Sequence, residues 1–291
     1  MGSKPDQPPL VVIVGPTASG KSALALDIAE RWNGEIIAAD SRTIYKGMDI
    51  GTAKPTLTDR DRVRHHLIDI VDPDQPFTVS DFQRLALAAI TDITARGKLP
   101  ILVGGTGLYV DAVLFNFSFR GASDPGQRQK IASLSVDELQ AALKSLGLPL
   151  PRNERNPRHL VRVIETGGAP AVRQQLRPNT CIIGLDVDRE TLAQRIADRV
   201  NAMFEAGLEK EVADLVDAYG WERPPLQTIG YQEFRLYLSG GISAQELRQL
   251  IITHTLQYAK RQKTWFRRNK SIHWISKTDE AVALVTTLLN K

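Results

Sequence analysis

The segment Gly15-Pro16-Thr17-Ala18-Ser19-Gly20-Lys21-Ser22 carries the residue types and spacing needed to hold a phosphate chain. Gly15 and Gly20 let the loop curl until successive backbone N–H groups point inward at an anion, and the helix that follows adds its positive N-terminal end. Lys21 brings a mobile charge, and the Ser22 hydroxyl is a hard oxygen suited to Mg²⁺. The loop is therefore predicted to bind a di- or triphosphate, which makes it nucleotide-binding in class, ATP included. A second group must decide the reaction, and Asp40 is the candidate. It follows the apolar run Ile36-Ile37-Ala38-Ala39, at the edge where ligands sit in open α/β sheets. Its carboxylate could take a proton from a substrate held over the loop, or hold Mg²⁺ through water. Thr106, after Gly104-Gly105, offers a hydroxyl on another loop leaving a strand; it could touch substrate or cap the next helix.

The elements that must position these groups are legible around them. Val11-Val12-Ile13-Val14 reads as a strand, and Leu24, Ile28 and Trp32 share one face of a helix after the loop. Glu35 to Ala39 reads as a second strand, and Ser41 to Pro55 has no period, as a functional loop would. His65 to Ile70 is strand-like. Ser80-Asp81-Phe82-Gln83 has capping-box spacing for a helix to about Arg96, ended by Gly97. Leu99 to Val103 is a buried strand, with a helix from Leu108 to about Phe115. Strand and helix alternate, which predicts an α/β fold: a P-loop NTPase-like parallel sheet with helices on both faces.

From Asn116 the strand signals vanish. Ser135-Val136-Asp137-Glu138 is another capping box, and Leu139, Leu143 and Leu146 form a helical stripe. The expected organisation is a catalytic core over 1–115, a small all-helical insertion domain over 116–160, and the rest of the core over 161–291 with basic C-terminal helices. In that remainder Cys181 to Val187 resumes the sheet, and helices are expected over Arg189 to Phe204 and Leu208 to Tyr219. A long helix capped by Ser243 and Glu246 carries the stripe Leu247, Ile251, His254, Tyr258 and Trp265. Ala281 to Leu289 forms the last helix.

Composition narrows the class. The single cysteine among 291 residues, Cys181, excludes an internal disulfide and a multi-cysteine metal cluster, and fits a reducing compartment. The polar, proline-rich start lacks a signal-peptide core and no apolar run is long enough for a bilayer, so a cytoplasmic chain with no membrane partner is expected. The net charge of +4 is unevenly placed. No acidic residue occurs from Arg248 to Lys277, where Lys260, Arg261, Lys263, Arg267, Arg268 and Lys270 crowd together, and Arg152, Arg155, Arg158, Arg162, Arg173 and Arg177 form a second basic run. These stretches are either solvated helix faces or the footprint of a polyanion larger than a nucleotide. The five histidines show no ligand spacing, so Mg²⁺ is expected rather than zinc. Asn269-Lys270-Ser271-Ile272 lacks the aspartate of a GTPase base-reading motif.

Seven blocks, taken together, resemble the bacterial tRNA dimethylallyltransferases. They are Gly15 to Ser22, Asp40-Ser41 with Ile44 to Pro55, His65 to Asp69, Val103 to Tyr109, Gly207-Leu208 with Glu211-Val212, Gly230-Tyr231 with Glu233, and Tyr258 to Gln262 with Thr264-Trp265-Phe266. The resemblance implies transfer of a dimethylallyl group from its diphosphate to the exocyclic amine of the adenosine 3′ of the anticodon, with Asp40 as general base. It adds Thr17 and Arg199 to Lys21 as diphosphate contacts, and Mg²⁺ on Ser22. It places tRNA on Asp40, Ser41, Arg42, Thr43, Thr106, Arg128 and the helix Arg158-His159-Leu160-Val161-Arg162. Its partners are then the anticodon stem-loop and dimethylallyl diphosphate, bound by a monomer. The family usually has glutamine where Thr43 stands and arginine where His159 stands, and its insert is longer. An adenylate isopentenyltransferase and a P-loop small-molecule kinase are the rival readings. The basic helix around Lys260 speaks against the first, and the lack of a lid arginine cluster against the second.

Overall fold

A computed structural model of the chain describes residues 7–119, 126, 130–131, 133–169 and 172–290. They fall into two compact units, Met1–Leu114 with Leu176–Lys291, and Phe115–Gln175.

The larger unit is built on six parallel strands, β1 (Leu10–Val14), β2 (Gly34–Ala38), β3 (His65–His66), β4 (Leu99–Gly104), β5 (Thr180–Leu185) and β6 (Ile272–Ile275), in the order β3-β2-β4-β1-β5-β6. All five residues of β1 are buried and none of its side chains carries a polar atom, as a strand covered on both faces requires. The expected α/β class is what forms. The chain leaves β1 toward β2 on one side and later continues to β5 on the other, so the strand order reverses beside β1. Val14 pairs with Gly104 and Ala38 with Val103. The loops after β1, β2 and β4 therefore leave the sheet side by side, at the crevice where such sheets bind ligands.

The helices of this unit in chain order are α1 (Lys21–Arg31), α2 (Leu57–Arg62), α3 (Val79–Ala95) and α4 (Gly107–Leu114). Leu24 and Ile28 of α1 pack with Val11, Ile13 and Ile183 on one face of the sheet. α3 is capped by Thr78 and Asp81, not by Ser80 and Gln83. Gln83 is instead buried, and its amide donates to the Ala112 carbonyl. The strand expected over His65–Ile70 contracts to His65–His66, because Leu67 and Asp69 adopt left-handed backbone.

The smaller unit contains α5 (Val136–Ser145) and α6 (Pro157–Thr166), packed through Leu139, Leu143, Leu160 and Val161. The Ser135–Glu138 capping box forms as the sequence predicts. The unit's end is a correction: it runs to Gln175 rather than to residue 160, because α6 buries its apolar face against α5. Leu160 is fully buried. Leu160→Ala is expected to cost this unit about 2–5 kcal/mol and to raise hydrogen exchange across α5 and α6, while leaving exchange in the larger unit unchanged.

The larger unit resumes with α7 (Arg189–Glu205), α8 (Leu208–Tyr219), α9 (Phe234–Leu238), α10 (Ala244–Phe266) and α11 (Thr278–Leu289). Val200 of α7, Val212 of α8 and Ile251 of α10 join one apolar cluster. β6 is a strand that sequence reading did not predict; Ile272 and Ile275 at its ends are buried, while His273 is exposed and Trp274 half-buried, at the sheet edge beside β5. α7 is capped by Asp188, whose carboxylate accepts the Thr191 N–H at 2.8 Å. Asp186 pairs with Lys263 at 2.5 Å. No helix among the described residues is long and apolar enough to cross a membrane.

Candidate active site

The loop after β1 takes the curled form that its glycines permit. Gly20, just before α1, has φ +97°, a left-handed conformation in which any Cβ is strained. With the chain turned there, α1 begins at Lys21 and directs its N-terminus into a cavity of about 620 Å³ lined by Thr17, Lys21, Ser22, Asp40, Thr106 and Arg199. Ser41, Arg42 and Thr43 line the same space. The sequence-predicted catalytic and phosphate-binding side chains, spread over 182 positions from Thr17 to Arg199, thus meet at the carboxyl edge of the sheet.

Lys21, Arg199 and Asp40 are electrostatically coupled in this cavity, whose wall also carries Arg42 and Arg261. Lys21 Nζ donates to the Pro16 carbonyl at 2.6 Å. Burial, then the nearby Arg199 guanidinium, pulls its ammonium down to about 7, with Asp40 opposing. Arg199 Nη1 donates to Thr17 Oγ1 at 3.2 Å and Nη2 to the Thr52 carbonyl at 3.3 Å. Both its partners are neutral, so its charge is not quenched. Asp40 Oδ1 accepts the Arg42 N–H at 2.8 Å, which fixes the carboxylate in a turn over the end of β2.

Of the two alternatives left by the sequence, the structure shows the second: Thr106 starts the next helix, through its backbone. Its carbonyl starts α4 by accepting from Tyr109 and Val110, and its Oγ1 accepts the Ser41 N–H at 3.0 Å, tying the loop after β4 to the Asp40 segment. The hydroxyl also lies against Tyr258, whose own proton is pushed up to about 12 by burial first and by Asp40 second. Thr43 Oγ1 and Ser19 Oγ are buried without a hydrogen-bond partner.

Gln262 is a site residue to which sequence reading assigned no role. It is buried on α10; its Oε1 accepts the Thr17 N–H at 2.8 Å and its Nε2 donates to the Gly105 carbonyl at 3.0 Å. It therefore ties the phosphate loop to the loop after β4. The available signal was its place in the Tyr258, Gln262, Trp265 spacing of α10, a polar residue inside an otherwise apolar stripe. Trp265 Nε1 in turn donates to Asp111 Oδ2 at 3.0 Å, which holds α10 on α4.

The remaining expected contacts belong to the smaller unit. Arg158, His159 and Arg162 are exposed on α6, while the Leu160 and Val161 side chains face the unit's own core. That corrects the expectation that these two side chains meet RNA: on an amphipathic helix with a buried face, they occupy the inward positions. Arg128 lies outside the described residues.

A family profile described as "IPP transferase" matches residues 43–269. The chain belongs to the IPP transferase family. The tRNA dimethylallyltransferase of Anoxybacillus flavithermus is 40% identical over 286 residues, covering 94% of this chain and 92% of that protein. The enzyme of the same name from Synechocystis is 43% identical over 278 residues, 92% of this chain and 90% of that protein. Among solved structures, the tRNA isopentenylpyrophosphate transferase of Bacillus halodurans superposes with a TM-score of 0.76 at 38% identity, covering 98% of this chain and 97% of that one. A eukaryotic dimethylallyltransferase acting on tRNA gives a TM-score of 0.82 at 25% identity, over 98% of this chain and 80% of its own. In this chain the matched profile takes in Thr43, Thr106 and Arg199 but starts after the phosphate loop and Asp40. Those earlier residues are covered by the whole-chain relatives.

Proposed function

We propose that this chain transfers a dimethylallyl group from dimethylallyl diphosphate to the exocyclic amine of the adenosine 3′-adjacent to the anticodon in tRNA, releasing diphosphate. The observation that carries this reading is that Asp40 and the phosphate loop face one cavity in a chain whose relatives are named for this reaction. The loop N–H groups, Lys21 and Arg199 take the diphosphate, and Thr17 joins them as Arg199's partner. As the allylic C1–O bond breaks, its electron pair leaves with the diphosphate, and these donors stabilise the growing negative charge. The amine nitrogen forms the new bond to C1, and its proton passes to the Asp40 carboxylate. Adenine's amine is a weak nucleophile because its lone pair is delocalised into the ring. The carboxylate therefore has to orient it as well as accept its proton.

The donor set fits Mg²⁺. Ser22 and Asp40 offer hard oxygens to one cavity, and no group of three His, Cys, Asp or Glu able to hold a metal occurs among the described residues. Such a site suits an ion held mainly by phosphate oxygens and water, with Ser22 as protein ligand. Its contribution would be to neutralise the leaving diphosphate.

A base inside an anticodon loop must be splayed from its stack to reach such a cavity. The segment Asp40-Ser41-Arg42-Thr43 and Thr106 line the space it would enter. The exposed Arg158, His159 and Arg162 of α6, with Arg128, would hold the stem by its phosphates. Free nucleotide would need neither these nor the basic end of α10.

Lys21 makes donor binding depend on pH. Free Lys21 titrates at about 7, and a bound diphosphate stabilises its charged form, so binding above that pH takes up a proton. Affinity for inorganic diphosphate is expected to fall as pH rises past about 7, by up to about tenfold per unit until the bound-state midpoint is reached. Calorimetric titration checks this, with Lys21→Met as the reference: any slope it retains belongs to the ligand.

The reaction itself is tested by offering labelled dimethylallyl diphosphate with Mg²⁺ to unmodified tRNA, to AMP and to no acceptor, with ATP turnover followed in parallel. Label entering tRNA alone is the expected result. Label in AMP, or ATP turnover without transfer, would replace this reading by the adenylate enzyme or the kinase.

A further inference from the structure

Arg199 can clamp a diphosphate only if its long side chain is aimed, and its aim depends on a loop backbone. Nη2 rests on the Thr52 carbonyl and Nη1 on Thr17. The segment Asp49 to Ala53 is irregular and Ala53 sits in left-handed backbone at φ +48°, so the loop needs fixing from outside. Glu211 on α8 supplies this. Its Oε2 accepts the N–H groups of Asp49 at 2.9 Å and Ile50 at 2.7 Å; its Oε1 accepts the Gly51 N–H at 3.0 Å and the Tyr231 hydroxyl at 2.7 Å. Four donors on two oxygens fill the acceptor sites of an ionised carboxylate. Tyr231 is itself fully buried.

We infer that Glu211 is a positioning residue for diphosphate binding: it holds the Asp49–Gly51 backbone so that the adjacent Thr52 carbonyl aims Arg199 at the phosphate loop. This rests on the reading of Arg199 as a diphosphate contact. Glu211 does not line the cavity, so its influence reaches the site through the loop. Using a backbone carbonyl to steer the guanidinium also has a chemical advantage. A carboxylate partner would orient Arg199 equally well but neutralise the charge that the diphosphate requires. Glu211 instead spends its own charge on the N–H donors of the loop, one step removed. The rest of the loop is anchored independently: Lys54 Nζ reaches Asp49 Oδ1 and Asp69 Oδ1, each at 2.5 Å, and the Tyr45 carbonyl at 2.8 Å. The loop is therefore expected to stay in place when Glu211 changes, with only the Thr52 carbonyl re-aimed.

An amide is not an equivalent substitute here, because a Gln side chain would present an NH₂ group to two of the four donors. The test is a double-mutant cycle read by binding of inorganic diphosphate. In the wild-type background Glu211→Gln is expected to weaken binding about tenfold; in an Arg199→Met background, less than about twofold. Tyr231→Phe removes only one of the four donors while keeping the packing, and is expected to show the same pattern at about threefold. Equal losses in both backgrounds, or no loss in either, would overturn the inference. If Glu211→Gln does not fold, the Tyr231→Phe pair decides alone. The binding readout is independent of transfer. A wild-type protein that binds diphosphate with the expected coupling but modifies no tRNA would refute the reaction and leave the Glu211 assignment standing. A protein that modifies tRNA with no coupling would do the reverse.

Discussion

Asp40→Asn is expected to lower the turnover of prenyl transfer about a thousandfold, within the range general-base removal gives, while raising the KM for dimethylallyl diphosphate only a few fold. The asparagine carbonyl can keep the 2.8 Å bond from the Arg42 N–H, so the turn over β2 survives, but the amide cannot take a proton from the attacking amine. The small KM effect has its own cause. Asp40 raises the Lys21 pKa against burial and Arg199, so its loss leaves less of Lys21 charged near neutrality and moves the diphosphate-binding midpoint below about 7. Steady-state transfer assays and the diphosphate titration separate the two effects. A drop in binding that matched the drop in turnover would assign Asp40 to ground-state binding instead of proton transfer.

Gly105→Ala is expected to reduce transfer about a hundredfold without unfolding the protein. A Cβ at this position would lie 2.2 Å from Gln262 Nε2, well inside contact distance. The glutamine is the end of a flexible side chain and can withdraw, which limits the stability cost to about 1–3 kcal/mol. On withdrawing it gives up both the Gly105 carbonyl and the Thr17 N–H. The phosphate loop and the loop after β4 are then no longer tied together, and donor and acceptor lose their register. Gln262→Ala should reproduce the defect. A fully active Gly105→Ala protein would show that the tie through α10 does not set this geometry.

The parts of the fold that could be read in advance were those with local physical signatures. Buried strands such as Val11 to Val14, a glycine loop of fixed spacing and capping boxes at Ser135 and Ser243 each act within a few residues, and each forms as read. The misreadings have two causes, competition settled by tertiary contacts and a segment too short to carry a pattern. Ser80-x-x-Gln83 and Thr78-x-x-Asp81 both fit a capping box. The second is used because Gln83 has the buried Ala112 carbonyl to satisfy. β6 was missed because a four-residue edge strand with His273 and Trp274 at its centre has little pattern of its own.

The same distinction runs through the site. Lys21, Ser22 and Asp40 sit in or beside regular elements whose ends could be placed from sequence. Gln262 and Glu211 act across 245 and 160–162 positions respectively, on backbone groups that no sequence pattern marks. Leu160 and Val161 were misplaced for the opposite reason: the resemblance assigned the whole segment to RNA, and only helix packing shows which of its side chains face inward.

The measurement that bears most directly on the account is the identity of the alkylated atom. Unmodified tRNA treated with the enzyme, dimethylallyl diphosphate and Mg²⁺ would be digested to nucleosides and the prenylated product located by mass spectrometry and NMR. The account predicts one modified adenosine, 3′ of the anticodon, carrying the group on its exocyclic nitrogen, formed about a thousandfold more slowly when Asp40→Asn replaces the wild-type protein. Alkylation at a ring nitrogen, at scattered adenosines, or undiminished in the variant would contradict it.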